Sequence, residues 1–367
     1  MRVLQVIDSL PTGGGARFVV NSVPLFNEMG IDTDVLLLDG TETSFYDELE
    51  KTRSCNIISL TKGKRWDPRN IFRIIPYLKQ YDLVNVHIFP GSYFVALAKF
   101  FSRSSAPIIF TEHNSQNRRA VHFIFRNIEN FVYAQFTKIV CLTTAVEKFV
   151  LNNLNVSAAK LEVIENGVDI KKIINTIGYK KKDFGYTESQ KLILMSARFE
   201  LQKDHETMIK ALSSLSKEFF LLLAGEGSKL NFYKKMVHDL QLEDRVTFLG
   251  NRKDIFEIMK MCDFNVLSSH YEGLSLSAIE GLASGKPFIA SDVAGLDFIK
   301  NAGILFTKGD YNGLAKILEE LSNDEVLYNK TVKNCLEKAY QYDIKNMMEK
   351  YITLYHNLVQ DNKSSLS

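Results

Sequence analysis

Short apolar runs alternating with helix-length amphipathic stretches constrain this chain more than any other feature of its sequence. In the first half the runs are Arg2 to Asp8, Val35 to Leu38, Cys55 to Leu60, Asp82 to Ile88, Pro107 to Thr111, Lys138 to Leu142 and Leu161 to Ile164. Each is strand-length and rich in Val, Ile, Leu or Phe. Between them lie helical patterns, clearest at Val121, Ile124, Phe125, Ile128, Phe131 and Val132, where apolar residues recur on one face of a 3.6-residue period. The rhythm stops in a polar, lysine-rich stretch from Lys171 to Gln190, where an interdomain linker is expected. It resumes with Leu192 to Ala197, Phe219 to Ala224, Val246 to Leu249, Phe264 to Ser268, Pro287 to Ala290 and Ile304 to Phe306. Beyond Tyr311 only helical patterns remain.

Strand and helix alternating in this way imply parallel sheets with right-handed crossovers and helices on both faces. At 367 residues the chain exceeds what one core organises. The fold predicted is therefore α/β, with two Rossmann-like, doubly wound parallel-sheet domains facing across a cleft. The expected domains are residues 1–172 and 173–344, with a helix at about 345–360 crossing back onto the first.

Composition narrows the class. With 46% hydrophobic and 24% charged residues, the chain is neither disordered nor low in complexity. A net charge of +2 excludes nucleic-acid binding held by counterion release. Cys55, Cys141, Cys262 and Cys335 form no pair or cluster with metal-ligand spacing, and read as buried thiols in a reducing compartment. The start Met-Arg-Val-Leu-Gln-Val-Ile-Asp is too short an apolar run for a signal peptide, and no segment reads as a membrane span. A cytoplasmic, non-spanning protein is expected.

In open parallel sheets, ligands sit beyond the carboxyl ends of the strands. The segment from Ser268 to Glu280 starts where a strand ends and runs into a helix, whose amides and positive dipole end suit a phosphate. Gly273 permits close backbone approach, and Glu272 and Glu280, eight positions apart, can grip different parts of one ligand. Carboxylates accept hydrogen bonds from sugar and ribose hydroxyls in pairs. Arg198 and Lys203 follow the first strand of the second half, where a guanidinium fork and a compact ammonium could reach a diphosphate. The loop Gly13-Gly14-Gly15 follows the first strand of all and lets backbone amides approach a phosphate or an acceptor. It lacks the dinucleotide fingerprint, because Phe18 stands at the sixth position. Asp32-Thr33-Asp34 spells a D-x-D but precedes an apolar run, and is read as a polar turn on the wrong edge for ligands.

Glu272 to Glu280 resembles the E-x7-E motif of the retaining GT-B glycosyltransferases of family 4, the glycosyl transferases group 1. The resemblance extends to Asn166-Gly167-Val168-Asp169, Ala197-Arg198 with Lys203, Gly225-Glu226-Gly227, Ala283 to Pro287 and Ala290 to Gly295. It implies a metal-independent enzyme that moves a sugar from a nucleotide-diphosphate sugar, a UDP-sugar by default, to a saccharide or lipid-linked saccharide. No cofactor is expected. In the implied site Glu280 binds the ribose and Arg198 and Lys203 neutralise the leaving diphosphate. Glu272 and the amides of Gly273, Leu274 and Ser275 meet sugar hydroxyls and phosphate. Gly14, Gly15 and His113 close over them from the first domain, His113 positioning the sugar without covalent attack. The family commonly carries a glutamate after its glycines, whereas this chain has Ala16-Arg17.

Basic residues crowd the stretch from Thr61 to Lys138, which also holds Phe100, Phe101, Phe123 and Phe125. Peripheral contact with the anionic inner face of a membrane is one reading of this. The other, expected for most of these rings, is that they fill the core while the charges solvate the helices. Two further alternatives stand beside sugar transfer. A nicotinamide-dependent oxidoreductase would use Asp39, which ends the second strand; a non-catalytic relative would bind nucleotide sugar or glycan.

Overall fold

The computed structural model describes residues 1–11, 13–113, 117–123 and 125–366. Ile124, part of the helical pattern above, and Asn114 to Gln116, directly after His113, lie outside them. Two compact units are present. The first comprises Met1–Asn166 and the chain from Asn346 onward, the second Gly167–Lys345.

The first unit is built on a sheet of β1 (Arg2–Ile7), β2 (Asp32–Leu37), β3 (Ile57–Ser59), β4 (Leu83–His87), β5 (Ile108–Glu112), β6 (Lys138–Cys141) and β7 (Leu161–Val163). Their order is β3-β2-β1-β4-β5-β6-β7 and every described pairing is parallel. Central strands covered on both faces are mainly apolar, and Val3, Leu4, Val6 and Ile7 of β1 are all fully buried, with Gln5 the one polar side chain buried among them. The helix Ile344–Leu366 seals this core: Tyr351 and Tyr355 are fully buried, and Phe26 stacks on Tyr355 at 5.3 Å.

The second unit carries β8 (Lys191–Ser196), β9 (Phe219–Ala224), β10 (Val246–Gly250), β11 (Phe264–Leu267), β12 (Phe288–Asp292) and β13 (Ile304–Thr307). Their order is β10-β9-β8-β11-β12-β13, again parallel in every described pair. In each sheet the order reverses direction at one place, β1 beside β4 and β8 beside β11. There the following helices diverge to opposite faces and open a crevice at the carboxyl edge.

Four readings of the sequence are corrected. The chain divides between Asn166 and Gly167, and Lys171–Gln190 is not a linker but part of the second unit. Lys181 is buried there against Asp263 at 2.8 Å and donates to the Gln190 carbonyl at 2.7 Å, and Lys260 donates to the Ile174 carbonyl at 2.5 Å. Lys181 from within the segment and Lys260 from the neighbouring helix tie it down, so charge alone misled. Asp32-Thr33-Asp34 is no turn: β2 begins at Asp32, and Asp34 is buried, accepting hydrogen bonds from Asn56 and the Tyr81 hydroxyl. The helical pattern from Val121 divides into a turn, Arg118–Val121, and a separate helix, Phe125–Ala134. Finally, Phe100, Phe101, Phe123 and Phe125 do not fill the core but are exposed. Of the cysteines, three are buried and Cys55 is partly so, all as free thiols.

Candidate functional site

In the second unit the candidate residues gather at the carboxyl edge, around the crevice between β8 and β11. After β8 the chain turns through the 3-10 segment Leu201–Lys203, and after β11 through Ser268 to Ser275. Lys203 Nζ lies 2.5 Å from Glu272 Oε1, with side chains only 13% and 6% exposed. The same carboxylate oxygen accepts a hydrogen bond from Ser269 Oγ at 2.5 Å. Both side chains are thus largely withdrawn from water, where their attraction is less screened.

Backbone ties hold this pair in place. Asp204 adopts the left-handed region, φ 49°, and its carboxylate caps the helix His205–Ser214 through Thr207. Its carbonyl accepts from Ser268 Oγ at 2.7 Å, joining the two loops behind Lys203. Gln202 bonds both ways across the same gap, accepting from the His270 amide and donating to the Tyr271 carbonyl. Ser291 Oγ donates to the Ser269 carbonyl at 2.5 Å.

Two glycines bring further loops close. Gly295 has φ 86°, and a Cβ there would lie 2.2 Å from the Glu272 carbonyl oxygen, so only glycine lets this loop rest against Glu272-Gly273. At Gly225 a Cβ would meet the Ala197 carbonyl at 2.1 Å, which draws the loop after β9 against the one carrying Arg198. Glu200 accepts hydrogen bonds from the Ser228 amide and hydroxyl, closing the same contact. Those Ser228 hydrogen bonds hold the Glu200 carboxyl below its ordinary value, and the exposed guanidinium of Arg198 adds a smaller pull in the same direction.

The helix Leu276–Ala283 begins at Ser275 with no side chain capping it. Ser275 Oγ instead meets Ser277 Oγ at 3.1 Å, so among the described residues the helix tip has no capping side chain. Uncapped first-turn amides and the dipole favour an anion. Glu280 lies partly buried on this helix, just over a turn in from its start. The second unit therefore brings Lys203 and Glu272 into contact and sets Gly273, Leu274, Ser275 and Glu280 along the adjoining loop and helix. Arg198 lies on the loop after β8 that also carries Lys203.

In the first unit the glycine loop and His113 adjoin one another. A Cβ at Gly15 would lie 3.1 Å from Ile88 and 3.5 Å from the His113 ring, whereas one at Gly14 would meet open space. His113 Nε2 is 3.0 Å from His87 Nδ1, and His87 Nε2 is 2.8 Å from Gln5 Oε1. Because that amide oxygen can only accept, His87 donates through Nε2 and accepts through Nδ1. His113 then donates through Nε2, and among the described residues no hydrogen-bond partner meets its Nδ1. Gln5 and Asn85 both donate to the hydroxyl of Tyr355, on the C-terminal helix. Burial holds the His113 imidazole down to about 4 and His87 well below its ordinary value, so both are neutral at pH 7.

Sequence reasoning missed Gln5, His87 and Tyr355, whose contacts span up to 350 positions. It also missed Asp8 at the end of β1, buried with Arg65 at 3.4 Å and its carboxyl pushed up by desolvation. Phe18, the residue that breaks the dinucleotide fingerprint, packs on His87 and His113 at 5.2 and 5.6 Å. Arg17, where a glutamate was noted as common, pairs with Glu48 at 2.6 Å and lies over Phe45. Asp39 closes a turn, its Oδ1 accepting from the Thr41 amide and hydroxyl and from the Gly63 amide.

Known proteins share this plan. Residues 179–342 match the family described as Glycosyl transferases group 1, and residues 12–172 match Glycosyltransferase Family 4. The chain is 28% identical over 326 residues to the UDP-Gal:alpha-D-GlcNAc-diphosphoundecaprenol alpha-1,3-galactosyltransferase of Escherichia coli, covering 83% of this chain and 82% of that one. It is 27% identical over 226 residues, 58% of each chain, to the N,N'-diacetylbacillosaminyl-diphospho-undecaprenol alpha-1,3-N-acetylgalactosaminyltransferase of Campylobacter jejuni. Among solved structures, Anabaena Alr3699/HepE in complex with UDP superposes with a TM-score of 0.84 at 19% identity, over 97% of this chain and 100% of that one.

Proposed function

The chain belongs to glycosyltransferase family 4, of GT-B type, and on that premise we propose that it transfers a sugar from a UDP-sugar to a hydroxyl of a lipid-linked saccharide, with retention and without a resident metal. One observation carries the donor half of this reading. Lys203 and Glu272 form a partly buried ion pair at the strand-order reversal, beside a helix tip that no side chain caps. Cation and amides together suit a diphosphate; a carboxylate in the same place suits a sugar hydroxyl.

In this reaction the bond from the sugar C1 to the diphosphate oxygen breaks and the acceptor hydroxyl oxygen bonds C1 on the same face. The acceptor proton leaves with the diphosphate, so the products are UDP and the extended saccharide. Negative charge grows on the departing oxygens, and Lys203, Arg198 and the amides of Gly273, Leu274 and Ser275 stabilise it there. Fixed positive groups need no reorganisation as that charge develops, and so take the role that a divalent ion plays elsewhere. Glu280 holds the ribose and Glu272 a sugar hydroxyl. In the first unit the amides of Gly14 and Gly15 and the lone pair of His113 Nδ1 receive saccharide groups. A neutral imidazole there orients a hydroxyl by accepting its proton in a hydrogen bond.

The names of the Escherichia coli and Campylobacter jejuni relatives specify alpha linkages on diphosphoundecaprenol-borne sugars, which supports a lipid-linked acceptor and retention. The D-x-D at Asp32 and Asp34 sits in a structural role at the amino edge of β2, which fits a site built on cations. The deciding experiment is calorimetric titration with UDP, GDP and NADH in the presence of chelator, followed by a UDP-sugar panel with undecaprenyl-diphosphate-linked N-acetylglucosamine. UDP binding and transfer in chelator are expected, with UDP affinity lost in Glu280→Ala and Lys203→Ala. Transfer that stops when divalent ions are removed, or variants that bind UDP as the parent does, would overturn the reading.

A further inference from the structure

Four polar side chains occupy the middle of the first unit's sheet, where cover on both faces favours apolar ones. Gln5 on β1, Asn85 and His87 on β4 and Thr111 on β5 are all fully buried. Gln5 pairs in register with Asn85 and His87 with Thr111, and side chains two apart on a strand share a face, so all four lie on one face of the sheet. Tyr355 of the C-terminal helix covers that face, accepting from Gln5 Nε2 at 3.2 Å and from Asn85 Nδ2 at 3.0 Å. Buried polar groups cost stability unless they are bonded, and aliphatic side chains would fill these positions without that cost. Their presence implies a use beyond packing.

The bonds form one row from core to surface. Thr111 Oγ1 donates to Asn85 Oδ1 at 3.0 Å, which fixes the Asn85 amide with its nitrogen on Tyr355. The Gln5 amide turns its nitrogen to the same hydroxyl, so its oxygen faces His87. Each later link follows from that orientation. His87 carries its proton on Nε2, and His113, partly exposed at the end of the row, carries its own on Nε2 and presents Nδ1 as an acceptor. Turning the Gln5 amide over would reverse every proton in the row. His87 would then donate from Nδ1, and His113 would accept at Nε2 and become a donor at Nδ1. Burial keeps both rings neutral, so neither escapes the choice by taking a second proton. Phe18 packs on both rings and holds them in place.

We propose that Gln5, His87 and Tyr355 are positioning residues for sugar transfer: together they fix His113 as an acceptor at Nδ1, and so select a saccharide hydroxyl, a proton donor, as the group that meets it. The ligand's identity rests on the transferase reading, whereas the tautomer follows from the row itself. All three residues are fully buried and act only through His113. An imidazole held in the wrong tautomer disables a site whose geometry is otherwise intact.

The test is nitrogen-15 NMR of the full chain labelled in histidine, with the two rings assigned by single substitutions, beside transfer kinetics with the UDP-sugar panel and the lipid-linked acceptor. In the parent both rings are expected to carry the proton on Nε2 alone. His87→Phe keeps a ring against Phe18 but offers no nitrogen. His87→Gln restores an oxygen that can accept from His113 and an N–H that can donate to Gln5. The Phe variant should lower kcat about ten- to a hundredfold with UDP affinity unchanged, and the Gln variant should recover most of that loss. Tyr355→Phe should release the Gln5 amide and raise a second His113 signal protonated on Nδ1, with kcat reduced by that share. Where His87→Phe does not fold, the parent spectrum and Tyr355→Phe carry the test. A parent protonated on Nδ1 of either ring would overturn the proposal. So would unchanged kcat in the Phe variants at both positions, or equal losses in His87→Phe and His87→Gln, the mark of a packing role. If the parent transfers no sugar the transferase reading fails, while the nitrogen spectra still decide whether the row sets His113.

Discussion

At the scale of single residues, the contact between Lys203 and Glu272 sets the behaviour of the candidate donor site. Lys203 must serve both the carboxylate and any arriving diphosphate. Lys203→Ala should weaken UDP by about 2–3 kcal/mol, roughly 30- to 150-fold, measured by calorimetry with chelator present, because a charged hydrogen bond is lost and Glu272 is left unpaired. Glu272→Gln should act in the opposite sense on binding. It frees Lys203 from a competing charge, so UDP is expected to bind at least as tightly while sugar transfer falls by about two orders of magnitude. Equal losses of UDP affinity in both variants would remove the division of roles.

The buried imidazoles make a second prediction at this scale. His113 and His205 are both held down to about 4 by burial, against about 6.5 in an unfolded chain. Between those values the unfolded chain binds protons that the folded one refuses, so their contribution is complete above pH 6.5 and declines as pH falls toward 4. Urea unfolding at pH 7 and pH 5 should show a loss of up to about 2 kcal/mol for each. Stability unchanged over that interval would mean that these rings accept protons in the fold.

Among the elements, the strands were the most legible part of the chain. Central strands buried on both faces, such as β1 and β4, are dominated by Val, Ile and Leu, and that richness made them legible even though each also buries polar residues, Gln5 in β1 and Asn85 and His87 in β4. The loops after them were legible as positions, but not as partners. Ser268, Ser269 and Ser291 look like ordinary loop serines in sequence, and only the fold turns their hydroxyls onto the carbonyl groups and carboxylate that hold the Lys203 pair. The chain Gln5–His87–His113 was illegible because its members come from three strands and their following loops. The stripe on Phe125–Ala134 was visible, yet apolar periodicity reports that a helix has an oily side and not what covers it. Gly295 offers a test at this scale. Gly295→Ala forces a methyl onto the Glu272 carbonyl, and should displace that loop and cost UDP binding more than thermal stability; an alanine variant binding like the parent would show that the loop is free to move.

For the molecule as a whole, each unit has its own sheet and its own buried core. A ligand confined to the second unit should therefore leave a local signature. Saturating UDP, at about a hundred times its dissociation constant, should stabilise that unit by about 2.7 kcal/mol. Hydrogen exchange should slow at residues 197–203, 225–228 and 272–280, with the glycine loop of the first unit unaffected by UDP alone. Protection gained across both units alike would contradict a donor site contained in the second.

The helix Ile344–Leu366 carries a consequence for biosynthesis. Tyr351 and Tyr355 complete a core whose strands all lie before residue 167, while the second unit is one unbroken stretch of chain. As the polypeptide leaves the ribosome, the usual order of maturation is inverted: the lobe made first stands open, its sheet unsealed and Gln5 and Asn85 without their shared hydroxyl, until the lobe made second has already closed. Premature termination would thus strand the earlier lobe and spare the later one.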